Sequence, residues 1–144
     1  MKISVIGCGY LGAVHAAAMA TLGHEVVGVD VDADKVAALT SGRPPFFEPG
    51  LSELLVKGQD LGSLEFTTDV SRVADSQMHF VCVGTPQKPG EFAADVTYVD
   101  AAVNSLVPHL SSTSVVVGKS TVPVGTAERL AAILAPTGAS LMWN

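Results

Sequence analysis

Short apolar runs alternate along the chain with longer stretches in which apolar residues recur at helical spacing. The runs predict β-strands at residues 2–6, 25–31, 64–67, 79–83, 114–118 and, more weakly, 139–143. The second, fourth and fifth are almost continuously apolar, which is typical of parallel strands that are covered on both faces.

The stretches between these runs predict a helix in every connection. The first helix is expected to stop at Gly23, and others are predicted at residues 34–40, 52–56, 95–110 and 126–134. Asp95 and Thr126 are candidate caps for the last two. This alternation predicts an α/β fold: a three-layer, doubly wound, mostly parallel sheet of the Rossmann type with strand order 3-2-1-4-5-6.

Composition narrows the class of protein. The chain has 144 residues, 48% of them hydrophobic and 15% charged, which fits one folded domain with an ample core. Its net charge of −6 argues against a general nucleic-acid binder, and no run approaches the roughly 20 apolar residues of a membrane span. Cys8 and Cys82 lie in apolar stretches, and no signal peptide is visible, so we expect a cytoplasmic protein.

A glycine-rich motif, Gly7-Cys8-Gly9-Tyr10-Leu11-Gly12, joins the first predicted strand to the first predicted helix. In this context G-x-G-x-x-G indicates a dinucleotide site. Gly7 permits the tight turn, Gly9 lets a diphosphate approach the backbone, and Gly12 lets the helix lie close to the strand. The unpaired N–H groups of the first helical turn favour an anion.

Asp30, at the end of the second predicted strand, lies 18 residues after Gly12. A carboxylate there accepts hydrogen bonds from both adenosine ribose hydroxyls and repels a 2′-phosphate, which favours NAD over NADP. Lys35 either reaches the edge of the cofactor or is a solvated helical lysine, and the sequence does not separate these alternatives.

The loops after the fourth and fifth strands face the other half of a dinucleotide. Thr85 is a candidate hydrogen-bond donor to a ribose or phosphate, or alternatively a turn cap. Ser120 and Thr121 place two adjacent hydroxyls beside the predicted nicotinamide end, where they could orient a substrate oxygen or a water.

Five motifs in one order resemble the UDP-glucose/GDP-mannose dehydrogenase family of nucleotide-sugar dehydrogenases. They are G-C-G-Y-L-G with Asp30, F-F-E-P-G-L at 46–51, V-G-T-P at 83–86, D-V-T-Y-V at 95–99 and K-S-T-V-P-V-G-T at 119–126. The V-P-V-G-T ending is more similar to the UDP-glucose branch than to the GDP-mannose branch, and UDP-N-acetylmannosamine dehydrogenases remain open.

The resemblance implies NAD as the cofactor. It assigns cofactor contacts to Gly7, Gly9, Tyr10, Leu11, Gly12, Asp30, Lys35, Val83, Gly84, Thr85, Ser120 and Thr121. Thr121 also matches an auxiliary catalytic threonine, and Glu48 matches a position near the active-site cleft whose role stays open.

Family members oxidise a sugar 6-hydroxyl to a carboxylate in two hydride transfers to NAD, with a cysteine that captures the aldehyde. That cysteine and the oxyanion-stabilising lysine and asparagine match nothing in this chain. We therefore expect residues 1–144 to be the NAD-binding domain of a homodimeric UDP-glucose-oxidising enzyme, cut before the central helix and the UDP-sugar domain. Alone, it is expected to bind NAD without activity.

Two other interpretations stay open: a self-standing NAD-binding or NAD-sensing module, and another Rossmann dehydrogenase of the 3-hydroxyacid type. The four histidines have no metal-ligand spacing, so no metal site is predicted, and His15 is expected to be structural. Phe46, Phe47 and Tyr98 are expected in the core rather than in a cleft wall.

Overall fold

The computed structural model, which describes residues 1–144, contains one sheet of six strands in the order β3-β2-β1-β4-β5-β6. Every pairing is parallel. The strands are β1 (Lys2–Ile6), β2 (Glu25–Val29), β3 (Leu64–Thr67), β4 (Met78–Val81), β5 (Val115–Gly118) and β6 (Ser140–Trp143). The predicted Rossmann-type architecture and strand order are confirmed.

Helices cover both faces of the sheet. They are α1 (Tyr10–Thr21), α2 (Ala33–Thr40), α3 (Leu51–Asp60), α4 (Thr97–Leu106) and α5 (Thr126–Leu134). The first three pack on one face around a cluster of 15 buried residues, and the last two pack on the opposite face around a cluster of 12. No helix is both long enough and apolar enough to cross a bilayer.

Several element boundaries differ from the prediction. β2 ends at Val29, two residues early, because the side chain of Asp30 accepts the N–H of Asp32 at 3.0 Å and turns the chain into α2. Between β3 and β4 the chain forms only the 3₁₀ helix Val70–Val73 instead of an α-helix. Ten residues form α3, where five were expected, since the left-handed Gly50 starts it one residue earlier and it continues to Asp60.

Neither candidate cap occupies the N-cap position. Gly125 precedes α5 with φ +88°, so Thr126 is the first helical residue and is buried. Val96 is the N-cap of α4, and Asp95 instead accepts the N–H of Thr97 at 2.9 Å. Gly23, with φ +91°, follows the end of α1 as predicted.

A polar pair lies inside the sheet between β1 and β4. His79 is fully buried, and its Nδ1 shares a hydrogen bond of 2.8 Å with the hydroxyl of Ser4, which is also fully buried. Burial lowers the pKa of His79 from 6.5 to about 4. The imidazole is therefore neutral in the folded protein near neutral pH.

We predict that this histidine makes the fold sensitive to acid. The unfolded chain takes up the proton near pH 6.5 and the folded chain only near pH 4, so stability present above pH 6.5 is lost as the pH falls towards 4. The gap between the two pKa values corresponds to about 3 kcal/mol in the free energy of unfolding. Urea unfolding across this pH range measures it.

The matched control is the double variant Ser4→Ala/His79→Leu, which removes both partners of the buried hydrogen bond together. Its free energy of unfolding should fall less steeply between pH 6.5 and 4. Parallel pH profiles for the two proteins would contradict the assignment to His79.

Candidate functional site

The site lies at the edge of the sheet where β1, β2, β4 and β5 end. Ligands of doubly wound sheets bind outside the carboxyl ends of the strands, at the point where the strand order reverses. Here that point lies between β1 and β4, which are neighbours in the sheet although β2 and β3 come between them in the chain. The glycine motif, Asp30 and the loops after β4 and β5 all meet at this edge.

The three glycines of the motif have different surroundings. Gly7 has φ +88°, and a Cβ added to it would lie 2.7 Å from Cγ1 of Val83. A Cβ on Gly12 would overlap the carbonyl oxygen of Gly7, whereas a Cβ on Gly9 would meet nothing within 4 Å. Gly7 thus makes the turn, Gly12 allows the close approach of α1, and Gly9 leaves open space before the helix.

That open space adjoins the N-terminus of α1. The first N–H groups of a helix have no intrahelical acceptor, and here Gly9, the N-cap residue, has no side chain that could accept from them. These groups and the helix dipole attract an anion. Tyr10 and Leu11, at the start of the helix, are 55% and 46% exposed and flank the space.

Asp30 connects the end of β2 to the glycine motif. It is only 6% exposed, and its Oδ2 accepts the backbone N–H of Cys8 at 2.8 Å. Its Oδ1 accepts the N–H of Asp32 at 3.0 Å. The carboxylate is therefore held in place by backbone N–H groups and lies directly beside the turn that precedes α1.

Lys35 forms an ion pair with this carboxylate, so the alternative of a solvated lysine is wrong. Its Nζ lies 3.0 Å from both carboxylate oxygens of Asp30, and its side chain is 27% exposed. Asp32 caps α2 by accepting the N–H of Lys35 at 3.1 Å, which sets the first turn of the helix beside Asp30. The ammonium group offsets part of the negative charge that a 2′-phosphate would meet.

The loops after β4 and β5 are joined by side-chain hydrogen bonds. Thr85 donates its hydroxyl to the carbonyl of Thr121 at 2.8 Å, so it ties the loops together rather than capping a turn. Ser120 is 6% exposed and donates its hydroxyl to the carbonyl of Val83 at 2.7 Å. Of the two adjacent hydroxyl residues only Thr121 is exposed, so Ser120 presents its backbone to the site.

Glu48 reaches the glycine motif from a distant loop. The hydroxyl of Tyr10 donates to its carboxylate, and this hydrogen bond raises the pKa of Tyr10. The ring of Phe46 lies 5.4 Å from that of Tyr10. The core expectation is wrong for Phe47 and Tyr98, which are 88% and 58% exposed. Phe47 lies in the surface loop before α3, and Tyr98 lies on the side of α4 that faces away from the sheet. The residues of the Tyr10–Glu48 pair are 38 positions apart, and no local pattern indicates it.

The two cysteines are buried thiols. Burial raises the pKa of Cys82 to about 11, and burial together with the nearby Asp30 carboxylate raises that of Cys8 further. Neither forms a thiolate near neutral pH, which a nucleophilic cysteine requires. His15 is half-buried edge-on against Phe80, with ring centroids 4.3 Å apart, and burial lowers its pKa.

Comparison with known proteins identifies the relatives of this chain. Residues 1–141 match the profile described as the UDP-glucose/GDP-mannose dehydrogenase family, NAD binding domain. The chain is 45% identical to UDP-glucose 6-dehydrogenase of Rhizobium meliloti over 138 residues, which are 95% of this chain and 32% of that protein. It is 41% identical to GDP-mannose 6-dehydrogenase of Pseudomonas aeruginosa over 131 residues, which are 88% of this chain and 30% of that protein.

The fold is also similar to solved structures. It matches a UDP-glucose dehydrogenase from the archaeon Pyrobaculum islandicum with a TM-score of 0.88 and 39% sequence identity, over 99% of this chain and 34% of that chain. The chain thus spans about a third of the length of the relatives it matches.

The different surroundings of Gly9 and Gly12 give a paired prediction. Gly9→Ala should leave the melting temperature unchanged, since its Cβ meets nothing, but should weaken NAD binding at least about tenfold by filling the space before α1. Gly12→Ala should lower the melting temperature, because it forces α1 away from Gly7 at a cost of roughly 1–3 kcal/mol.

Thermal unfolding and calorimetric titration with NAD separate the two effects. Gln77→Ala, at an exposed position just before β4 and at the opposite edge of the sheet, controls for a substitution to alanine outside the site. Unchanged NAD affinity in folded Gly9→Ala would contradict the placement of the ligand over this turn.

Proposed function

The chain belongs to the UDP-glucose/GDP-mannose dehydrogenase family, and on this basis we propose that it is the NAD-binding domain of an enzyme that oxidises UDP-glucose to UDP-glucuronate. NAD is the cofactor of the family domain that the chain matches. UDP-glucose is favoured over GDP-mannose by the higher identity to a UDP-glucose enzyme and by the V-P-V-G-T segment at 122–126.

The observation that carries the proposal is the hydrogen bond from the N–H of Cys8 to the carboxylate of Asp30. This bond holds the acid that we propose for the ribose beside the helix N-terminus that we propose for the diphosphate, and an adenosine diphosphate moiety requires that pairing. The open space over Gly9 leaves room for the phosphates.

Each part of the site has a proposed role toward NAD, which accepts a hydride when bound. The N–H groups of the turn from Gly7 to Gly12 hold the diphosphate, and Asp30 with Lys35 holds the adenosine ribose. The nicotinamide half would extend over the loops after β4 and β5, where its proposed contacts are Val83, Gly84, Thr85, Ser120 and Thr121. The exposed hydroxyl of Thr121 would help to orient the reacting groups.

We place the thiol that captures the aldehyde outside residues 1–144. Cys8 and Cys82 are buried and their raised pKa values keep them protonated, so neither has the accessibility or the charge of a nucleophile. The two-step oxidation of a UDP-sugar is accordingly proposed for a longer protein in which this chain binds the cofactor.

The purified 144-residue chain is expected to bind NAD and to form no UDP-glucuronate from UDP-glucose, because it lacks an ionised thiol. Titration with NAD and chromatographic detection of UDP-glucuronate measure both properties. Product formation by the chain alone would contradict the placement of the nucleophile.

The substrate is tested by reading the coding sequence on past Asn144 and assaying the complete product. We expect the highest kcat/KM with UDP-glucose among UDP-glucose, GDP-mannose and UDP-N-acetylmannosamine. A preference for either other sugar nucleotide would overturn the proposed substrate. A stop codon directly after Asn144 would favour the self-standing NAD-binding module.

The ion pair of Asp30 predicts how cofactor choice responds to mutation. Asp30→Asn should weaken NAD binding about tenfold or more, since hydrogen bonds to a charged group are lost. It should also narrow the preference for NAD over NADP, because Lys35 is then free to pair with a 2′-phosphate.

Adding Lys35→Met to Asp30→Asn should remove the gain in relative affinity for NADP. Adding Lys57→Met, which removes an exposed cation on α3, should not remove it. Calorimetric affinities for both cofactors provide the comparison. Equal NAD and NADP affinities in the unaltered chain would show that Asp30 does not discriminate between them.

A further inference from the structure

The last strand is connected to the candidate cofactor site by two hydrogen bonds in series. The indole Nε1 of Trp143, in β6, donates to the carbonyl of Ser120 at 3.0 Å. The hydroxyl of Ser120 in turn donates to the carbonyl of Val83 at 2.7 Å, and Val83 packs directly against Gly7. A continuous path of contacts thus leads from β6 through both loops to the glycine motif.

The indole ring packs at a position where the neighbouring strand has no side chain. Trp143 pairs with Gly118 of β5, and a Cβ on Gly118 would overlap the ring. The backbone N–H of Asn144 donates to the carbonyl of Gly118 at 3.0 Å and holds the two strands in register. The ring is half-buried over this glycine, and its single N–H group donates to the carbonyl of Ser120.

The loops after β4 and β5 form one unit as a result. The bond from Thr85 to the carbonyl of Thr121 is exposed to solvent. The bonds made by Ser120 and Trp143 are partly buried. Since the hydroxyl of Ser120 is buried and occupied, this residue can influence a ligand only through the position of its backbone.

We propose that Trp143 is a positioning residue of the cofactor site, whose N–H group fixes the carbonyl of Ser120 and so holds the loops after β4 and β5 against the nicotinamide half of NAD. This inference rests on the proposed placement of NAD across the sheet edge. The proposed diphosphate and adenosine contacts come from α1 and β2, which this path meets only where Val83 packs against Gly7 and to which it donates no hydrogen bond. Loss of the indole N–H should therefore weaken the binding of the nicotinamide half of the dinucleotide and not that of the adenosine half.

The test is Trp143→Phe, which keeps an aromatic ring over Gly118 and removes the N–H donor. Calorimetric titration of the 144-residue chain with NAD should show an affinity about fivefold lower, the effect of one ordinary hydrogen bond. The affinity for ADP, which lacks both the nicotinamide and its ribose, should not change. Met142→Leu, at the exposed neighbouring position of β6, should leave both affinities as in the unaltered chain.

Ser120→Ala removes the second hydrogen bond, from the hydroxyl of Ser120 to the carbonyl of Val83, and should also lower the affinity for NAD selectively. Because both residues act through one path, the loss in Trp143→Phe/Ser120→Ala should be smaller than the product of the two single losses. Should Trp143→Phe fail to fold, Ser120→Ala provides the same comparison of NAD with ADP.

A purely structural role of Trp143 predicts that NAD and ADP affinities fall together with the melting temperature, and that result would overturn the inference. Unchanged NAD affinity in folded Trp143→Phe and Ser120→Ala would overturn it as well. Absence of NAD binding in the unaltered chain would instead contradict the proposed function, on which the inference depends.

Discussion

The close approach of α1 to the turn after β1 is the contact on which the site depends. A side chain at position 12 would overlap the carbonyl of Gly7, so only glycine lets the helix begin where it does. Buried alanines along the same helix, Ala13, Ala16, Ala17 and Ala20, keep the approach close over its length. The unpaired N–H groups of α1 consequently point into the space over Gly9, next to the buried carboxylate of Asp30.

Net charge is a poor guide to what such a site binds. The chain carries a charge of −6, yet its candidate anion site uses backbone N–H groups and a helix dipole, whose contribution is absent from any count of charged side chains. The buried acid at the site is held by two backbone N–H groups and by Lys35. Local geometry, and not overall composition, sets the electrostatics at the strand ends.

Strand order, glycine roles and the position of Asp30 are predictable because each follows from short-range pattern: apolar runs, a turn motif and an acid at the end of a strand. The pairs Tyr10–Glu48 and Trp143–Ser120 are not, since their members are 38 and 23 positions apart and meet only in the folded sheet. The pair Lys35–Asp30 is close in sequence, but its formation depends on the sharp turn into α2. Thr126 fails as a cap because Gly125 adopts the left-handed conformation before it.

The path from Trp143 to Gly7 has a consequence for how the protein reaches its native state. It joins residues near opposite ends of the chain, and contacts of such high sequence separation form slowly because the entropy of closing a long loop opposes them. The contacts of Asp30 with Cys8 and Lys35 lie within the first 35 residues, so we expect them to form before the loops after β4 and β5 are joined to β6. A dinucleotide that engages both halves selects completely folded molecules and stabilises them by mass action.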